Sequence, residues 1–239
     1  MQMPATRLEV QGLSTGYGPT RVIDNMSFAV PQGGRLSILG RNGVGKTTLL
    51  ASLMGLTTHH EGTILAGEVD LTDFKASARA QLGMGYVPQT RDIFRSLTVE
   101  ENLIAGLKER RREALDEAYA MFPRLAERRR HFGMQLSGGE QQMLSLSRTL
   151  LGKPSVLLLD EPLEGLAPVI CDQIMEIITS LANSGAMTIV LVEQQIERAL
   201  QFADQVMIVE RGRAVWNGEC SQLRAVPNMV ERMLGVGLH

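Results

Sequence analysis

Hydrophobic positions follow one rhythm in the first third of the chain, a second in the middle, and both in the last third. In the first third, short apolar runs at 8–10, 22–30 and 35–39 predict strands, punctuated by Tyr17-Gly18-Pro19 and Pro31-Gln32-Gly33-Gly34. Residues 62–65 and 84–87 predict two more. In the middle, Thr98-Val99-Glu100-Glu101 has the spacing of a capping box, and Leu103, Ile104 and Leu107 follow at helical intervals. Leu115, Ala118 and Phe122 mark a second amphipathic stretch, which Pro123 is expected to stop. Residues 91–135 therefore read as a helical subdomain.

The last third alternates strand and helix. Residues 156–159 form a continuous apolar run, as a strand buried on both faces requires. Ile170, Ile174, Ile177, Ile178 and Leu181 make one helix face, ending near Gly185. A buried strand at 187–192 and a helix at 196–202 follow. A hairpin at 205–209 and 213–216 turns at Glu210-Arg211-Gly212. This alternation predicts an α/β fold: a mainly parallel sheet with helices on both faces, preceded by an antiparallel β region.

Composition narrows the classes. A chain of 239 residues and 26.2 kDa, 44% hydrophobic and 21% charged, is globular. At this size folding buries about 70% of the chain's surface, enough for a core without staples. The net charge of −2 gives no global attraction to nucleic acid, and 4% aromatic content argues against base-stacking platforms. The runs Arg110-Arg111-Arg112 and Arg128-Arg129-Arg130 read as solvated helix faces. Cys171 and Cys220 lie far apart, without metal or disulfide spacing, which fits a reducing compartment. No apolar run approaches the roughly 18 residues that span a bilayer. The start MQMPATRLEV lacks the basic flank and apolar core of a secretory signal. The expectation is a cytoplasmic chain whose membrane role, if any, comes through a partner.

The chemistry begins at Gly40-Arg41-Asn42-Gly43-Val44-Gly45-Lys46-Thr47, an ungapped G-x-x-x-x-G-K-[ST] phosphate loop. It follows an apolar strand and opens a helix expected at 47–54. Its glycines let backbone N–H groups curl around phosphate oxygens, and the helix start adds a positive dipole end. Lys46 is placed to reach the β- and γ-phosphates, and the Thr47 hydroxyl to meet Mg²⁺.

A second element is the run VLLLDEP at 156–162, a strand ending in two acids. In parallel sheets ligands collect at the carboxyl ends of strands, which puts Asp160 and Glu161 near the loop. Asp160 is a candidate Mg²⁺ ligand, through water. Glu161, expected to point the opposite way, is a candidate base for an attacking water. A third is LSGGEQQ at 136–142. Ser137 can cap a helix whose first turn presents the N–H groups of Gly138 and Gly139 to an anion. A chain with its own phosphate loop has no need of a second cradle, so this one reads as serving a nucleotide held by another subunit.

With GRNGVGKTT (40–48), VPQ (87–89), LSGGEQQ (136–142), VLLLDEP (156–162) and LVEQQ (191–195) in order, nearly the whole chain resembles the ABC-transporter ATPases. The resemblance implies one ABC ATPase domain over 1–239, with 1–90 and 136–239 as nucleotide-binding core and 91–135 as helical subdomain. It implies ATP and Mg²⁺ as cofactors, and a head-to-tail dimer with two ATPs at the interface. Each ATP is expected between one subunit's loop, 40–48 with Thr48 included, and the other's Ser137-Gly138-Gly139. Tyr17 matches the aromatic that stacks on adenine. Gln89 matches the glutamine that touches Mg²⁺ and the attacking water. Glu161 matches the general base. Residues after Gln89, Phe94 among them, lie where family members meet their membrane partner.

Two positions depart from the pattern. Gln194 stands where a γ-phosphate-contacting histidine is usual; it can donate a hydrogen bond but cannot titrate. Ala167 stands where many members carry an aspartate for contact across the dimer. VEQ, EGLAP (164–168) and FRSLTVEENL (94–103) resemble the smaller ATPases of branched-chain amino acid and urea importers. That implies transmembrane permease subunits, an external solute-binding protein and a homo- or heterodimer of ATPases, peripheral on the inner face of the plasma membrane. An exporter ATPase, such as one for lipopolysaccharide, and a soluble mechanical ATPase of the same family remain alternatives. A P-loop kinase or GTPase would lack the Ser137–Gly139 helix start. A non-hydrolytic switch in which Gln194 marks a dead site is a further rival.

Overall fold

The computed structural model describes residues 5–225; positions 1–4 and 226–239, including both ends of the expected 1–239 domain and His239, lie outside the described residues. β1 (Leu8–Tyr17) and β2 (Thr20–Val30) form an antiparallel hairpin, and β3 (Arg35–Leu39) runs into α1 (Lys46–Leu53). β4 (Thr58–Ala66) pairs with β1 and with the short β5 (Val69–Asp70). After α2 (Ala76–Gln81) and β6 (Met84–Val87) come α3 (Val99–Gly106), α4 (Leu115–Met121) and α5 (Pro123–Glu127). Then follow α6 (Gly138–Leu151), β7 (Val156–Asp160), α7 (Pro168–Asn183), β8 (Thr188–Val192) and α8 (Ile196–Phe202). β9 (Gln205–Glu210), β10 (Arg213–Glu219) and α9 (Cys220–Arg224) complete the order.

The strands make two sheets, a four-stranded antiparallel one ordered β2-β1-β4-β5 and a six-stranded one ordered β10-β9-β3-β8-β7-β6. In the larger sheet only β10 runs antiparallel. Its buried strands separate two cores by simple alternation. Leu157 and Leu159 of β7 face the core shared with α3–α8, while Val156 and Leu158 face α1 and the antiparallel sheet. Parallel register aligns the carboxyl ends: Ile38 pairs with Val192, Asp160 with Val192, and Val87 with Leu159.

The pattern placed most elements, and the differences have physical causes. The expected strand at 8–10 continues to Tyr17 because register shifts between Val10 and Gly16 break the apolar alternation without ending the pairing. The strand expected at 62–65 extends back through the polar Thr58-His59-His60, whose side chains lie at or near the surface. One face of the larger sheet is covered chiefly by the antiparallel sheet with α1, not by helices alone. Pro123 does not merely stop α4; it occupies the first turn of α5, where its missing N–H costs nothing. The basic runs are only partly solvated faces. Arg110 pairs with Glu117, Arg112 with Glu100 at 3.5 Å, and Arg128 with Glu140 at 3.5 Å.

Candidate functional site

The loop between β3 and α1 carries the first half of the site. Gly45 sits at φ 106°, outside the range open to other residues, and a Cβ there would meet Ile23 Cδ1 at 2.8 Å. The loop is also held from outside. The Gly212 N–H, in the β9–β10 turn, donates to Val44 O at 2.9 Å, and Asp24 N–H donates to Gly212 O at 3.0 Å. Arg41, Asn42 and Gly43 are exposed and Val44 half-buried, whereas Gly45, Lys46 and Thr48 are buried. No side chain caps α1, and its first turn holds no acid, so its leading N–H groups are left for a ligand.

Lys46 is 4% exposed. Its Nζ donates to Gly40 O at 3.0 Å and Arg41 O at 3.1 Å, and pairs with Glu161 Oε1 at 3.3 Å. Thr47 Oγ1 donates to Asp160 Oδ1 at 3.3 Å, and Tyr86 Oη to Asp160 Oδ2 at 3.4 Å. Burial pushes the Asp160 carboxyl up to about 6, against the opposing hydrogen bond from Thr47. Burial, then the neighbouring Asp160, pushes the Tyr86 phenol well above its ordinary range.

Glu161 departs from the expected strand alternation. It adopts φ 46°, in the left-handed region, with its N–H donating to Val192 O at 3.0 Å. The chain thus leaves the strand at Glu161, and three donors surround the carboxylate. Lys46 is one; Gln89 Nε2 donates to Oε2 at 3.4 Å; Gln194 Nε2 donates to the same oxygen. Gln89 Nε2 also reaches Glu164 Oε2 at 2.6 Å.

Six of the residues singled out from sequence, Lys46, Thr47, Gln89, Asp160, Glu161 and Gln194, therefore meet at the carboxyl ends of β3, β6, β7 and β8. Tyr17 is 54% exposed at the end of β1. Ser137, Gly138 and Gly139 do not join this cluster. Ser137 exchanges hydrogen bonds with Glu140 in a capping box, Gly138 abuts Arg91 and Gly139 abuts Ile170. Ala167 is exposed at the start of α7 and caps nothing.

Sequence reasoning missed three participants. Tyr86 lies beside VPQ and Glu164 opens EGLAP, but both show their roles only through partners distant in sequence. Glu193 was visible inside LVEQQ, though its burial was not. Its Oε1 accepts the N–H of Gln194 at 2.8 Å and of Gln195 at 3.1 Å. Burial raises its carboxyl above the ordinary range, opposed by those two N–H groups.

Comparison with known proteins places this geometry. The chain is 38% identical to the high-affinity branched-chain amino acid transport ATP-binding protein BraG of Pseudomonas aeruginosa, over 95% of this chain and 99% of that one. It is 33% identical to the lipopolysaccharide export system ATP-binding protein LptB of Haemophilus influenzae, over 90% and 92%. A solved ATP-binding subunit of an ABC transporter superposes with a TM-score of 0.81 at 27% identity, over 91% of this chain and 92% of that one. The family model described as ABC transporter matches residues 23–164, a span that holds the phosphate loop, the Ser137 helix start and the acid pair together. With that match and relatives of this identity along nearly its full length, the chain belongs to the ABC transporter family and has the α/β fold of its ATP-binding cassettes.

Proposed function

We propose that this chain is the ATP-hydrolysing subunit of an ABC membrane transporter that imports branched-chain or similar hydrophobic amino acids. The observation that carries the reading is the convergence of Lys46, Thr47, Asp160, Glu161, Gln89 and Gln194 at one edge of the parallel sheet. Identity to the branched-chain amino acid relative, higher than to the lipopolysaccharide-export relative, favours import over export.

On ATP binding, Lys46 exchanges Glu161 for the β- and γ-phosphate oxygens, and the uncapped start of α1 takes phosphate on its N–H groups. Glu161, released from its cation, accepts a proton from water aimed in line at the γ-phosphorus. Gln89 and Gln194, already donating to Glu161, orient that water. Tyr17 stacks on adenine from its exposed position.

Thr47 and Asp160 fit a Mg²⁺ ion. They bring a hydroxyl and a desolvated carboxyl to 3.3 Å, and Gln89, whose Nε2 is turned to Glu161, would supply its amide oxygen as a third ligand. Among the described residues no group of three His, Cys, Asp or Glu could hold a metal unaided, which suits an ion that nucleotide phosphates help to hold. Bound there, Mg²⁺ neutralises charge on the phosphoryl oxygens.

Ser137, Gly138 and Gly139 serve the ATP of a second cassette, identical or related, in a head-to-tail dimer. Residues 91–135 act as the helical subdomain that carries movement to transmembrane permease subunits, with 1–90 and 136–239 as the core. Phe94, Phe132 and Met134, respectively 50%, 46% and 65% exposed, offer the apolar surface for that contact. Backbone bonds from Gly133 to Leu97 and from Met134 to Arg95 draw the three together. No helix among the described residues is long and apolar enough to cross a membrane. In this reading the chain attaches through the permeases, peripheral on the inner face. A solute-binding protein outside delivers the substrate.

The test is light scattering and phosphate release on Glu161→Gln. The variant is expected to bind ATP, to hydrolyse it at least about 100-fold more slowly than wild type, and to double its mass in ATP–Mg²⁺ but not in ADP. Near-normal turnover overturns the role of Glu161. A monomer with ATP bound points to a non-identical partner cassette.

A further inference from the structure

Glu193 follows β8 and is 4% exposed. Its two oxygens are used unequally. Oε1 accepts the N–H groups of Gln194 and Gln195 at 2.8 and 3.1 Å, while Oε2 is buried with no hydrogen-bond partner. A desolvated, unpaired carboxylate oxygen is a cost that apolar residues of the same size would avoid. What the carboxylate secures is therefore on the Oε1 side.

That side is a turn of two residues ahead of α8. Gln195, immediately before the helix, makes no side-chain cap; Glu193 instead accepts the N–H groups of Gln194 and Gln195 themselves, ahead of the first helical turn. The first of the two amides belongs to Gln194, whose Nε2 donates to Glu161. Arg198 of α8 pairs with Asp172 of α7 at 3.2 Å, and its positive charge also acts on the Glu193 carboxylate, favouring the ionised form. Glu193 is the group that ties the Gln194 backbone to the end of β8, and the Glu193 N–H in turn donates to Ile38 O of β3 at 3.4 Å.

The geometry points to Glu193 as a positioning residue for hydrolysis: by holding the amides of Gln194 and Gln195 it fixes the Gln194 side chain against Glu161. The inference rests on the proposed hydrolysis at Glu161 and adds to it a residue that touches neither nucleotide nor water.

A double-mutant cycle tests it. Glu193→Met keeps the volume and removes the acceptor; Glu193→Gln keeps an acceptor oxygen. Turnover, KM for ATP and thermal midpoint are measured for both, for Gln194→Ala, and for Glu193→Met combined with Gln194→Ala. Glu193→Met is expected to lower kcat roughly tenfold with KM within about twofold, as loss of charge-assisted hydrogen bonds implies. Glu193→Gln is expected to recover most of that loss. In the Gln194→Ala background, Glu193→Met is expected to cost nothing further.

Unchanged kcat in Glu193→Met overturns the inference. So does an equal loss with Gln194 already removed, or a Glu193→Gln variant as slow as Glu193→Met. Should methionine not be accommodated, Glu193→Asp, which retracts the acceptor by one methylene, is read against the same limits. The wild type and Glu161→Gln, run alongside, separate the two ideas. A wild type without turnover, or undiminished turnover in Glu161→Gln, defeats the hydrolytic reading itself.

Discussion

The starts of α1 and α6 are both helix N-termini with glycine beside them, yet they are finished in opposite ways. At α1 the cap is Gly45, without a side chain, the first turn has no acid, and a buried lysine supplies positive charge. At α6 the cap is Ser137, whose Oγ accepts the Glu140 N–H at 3.3 Å while Glu140 Oε2 accepts the Ser137 N–H at 2.9 Å. Arg124 and Arg128 hold Glu140 in place, at 3.0 and 3.5 Å. The first helix start is incomplete until an anion arrives. The second satisfies its own cap and third-residue N–H groups, leaving those of Gly138 and Gly139 to spare. The difference explains how one chain can carry two anion-binding helix starts and still give them different tasks. In the proposed function one holds the chain's own nucleotide, and the other, already capped, serves one brought by a partner.

That contrast can be broken by experiment. The largest effect is expected from Lys46→Ala, which should weaken ATP binding by the isolated chain at least about 100-fold, because the buried cation is the charge that α1 offers phosphate. Titration with a fluorescent ATP analogue reads this directly, and retained affinity would remove the basis for treating α1 as the primary cradle.

Next in size is Asp160→Asn. The wild-type carboxyl lies at about 6 when folded, against 3.8 for an unperturbed aspartate. Between those values the folded chain holds a proton that the unfolded chain has released. Stability from this group is therefore full below about 4 and falls as pH rises through about 6. The nucleotide-free Asp160→Asn chain should be more stable than wild type at pH 8 by about 3 kcal/mol, with the gain shrinking toward pH 4. Urea unfolding at both pH values measures it. A wild type whose stability does not fall across that range would show that burial does not control Asp160.

The smallest effect is expected from Ser137→Ala. Loss of the cap should cost about 1 kcal/mol in the same unfolding assay. ATP affinity of the single chain should stay within about twofold. An affinity loss as large as that of Lys46→Ala would show that both helix starts serve one nucleotide, and would erase the contrast.

Features legible in the sequence are those built from contiguous residues. The loop at 40–48 declares itself because its cradle is backbone, and the backbone conformation is set by Gly43, at φ 81°, and Gly45, at φ 106°. The capping box at Thr98 is equally local, its Oγ1 and the Glu101 carboxylate closing on each other over three residues. The buried strand at β7 is readable because a run without polar residues has no solvent-facing side. The bulged length of β1 is not readable, since pairing with β2 and β4 carries it past positions where the alternation fails. Nor was the conformation of Glu161, which the alternation alone would have pointed away from Asp160 but which turns at φ 46°.

The sequence by itself thus determined the chemical parts of this protein: a phosphate loop, a strand-end acid pair and a serine-capped helix, each a short-range pattern of backbone geometry. Only the tertiary structure decided how the parts meet. Lys46 and Glu161 are 115 positions apart by their numbering, and Glu161 and Gln194 are 33 apart. The parallel register of β3, β8 and β7 brings them to one edge of the sheet. The same packing buries Glu193 with one oxygen unpaired, because a side chain's solvation depends on what folds over it and not on its neighbours in the chain.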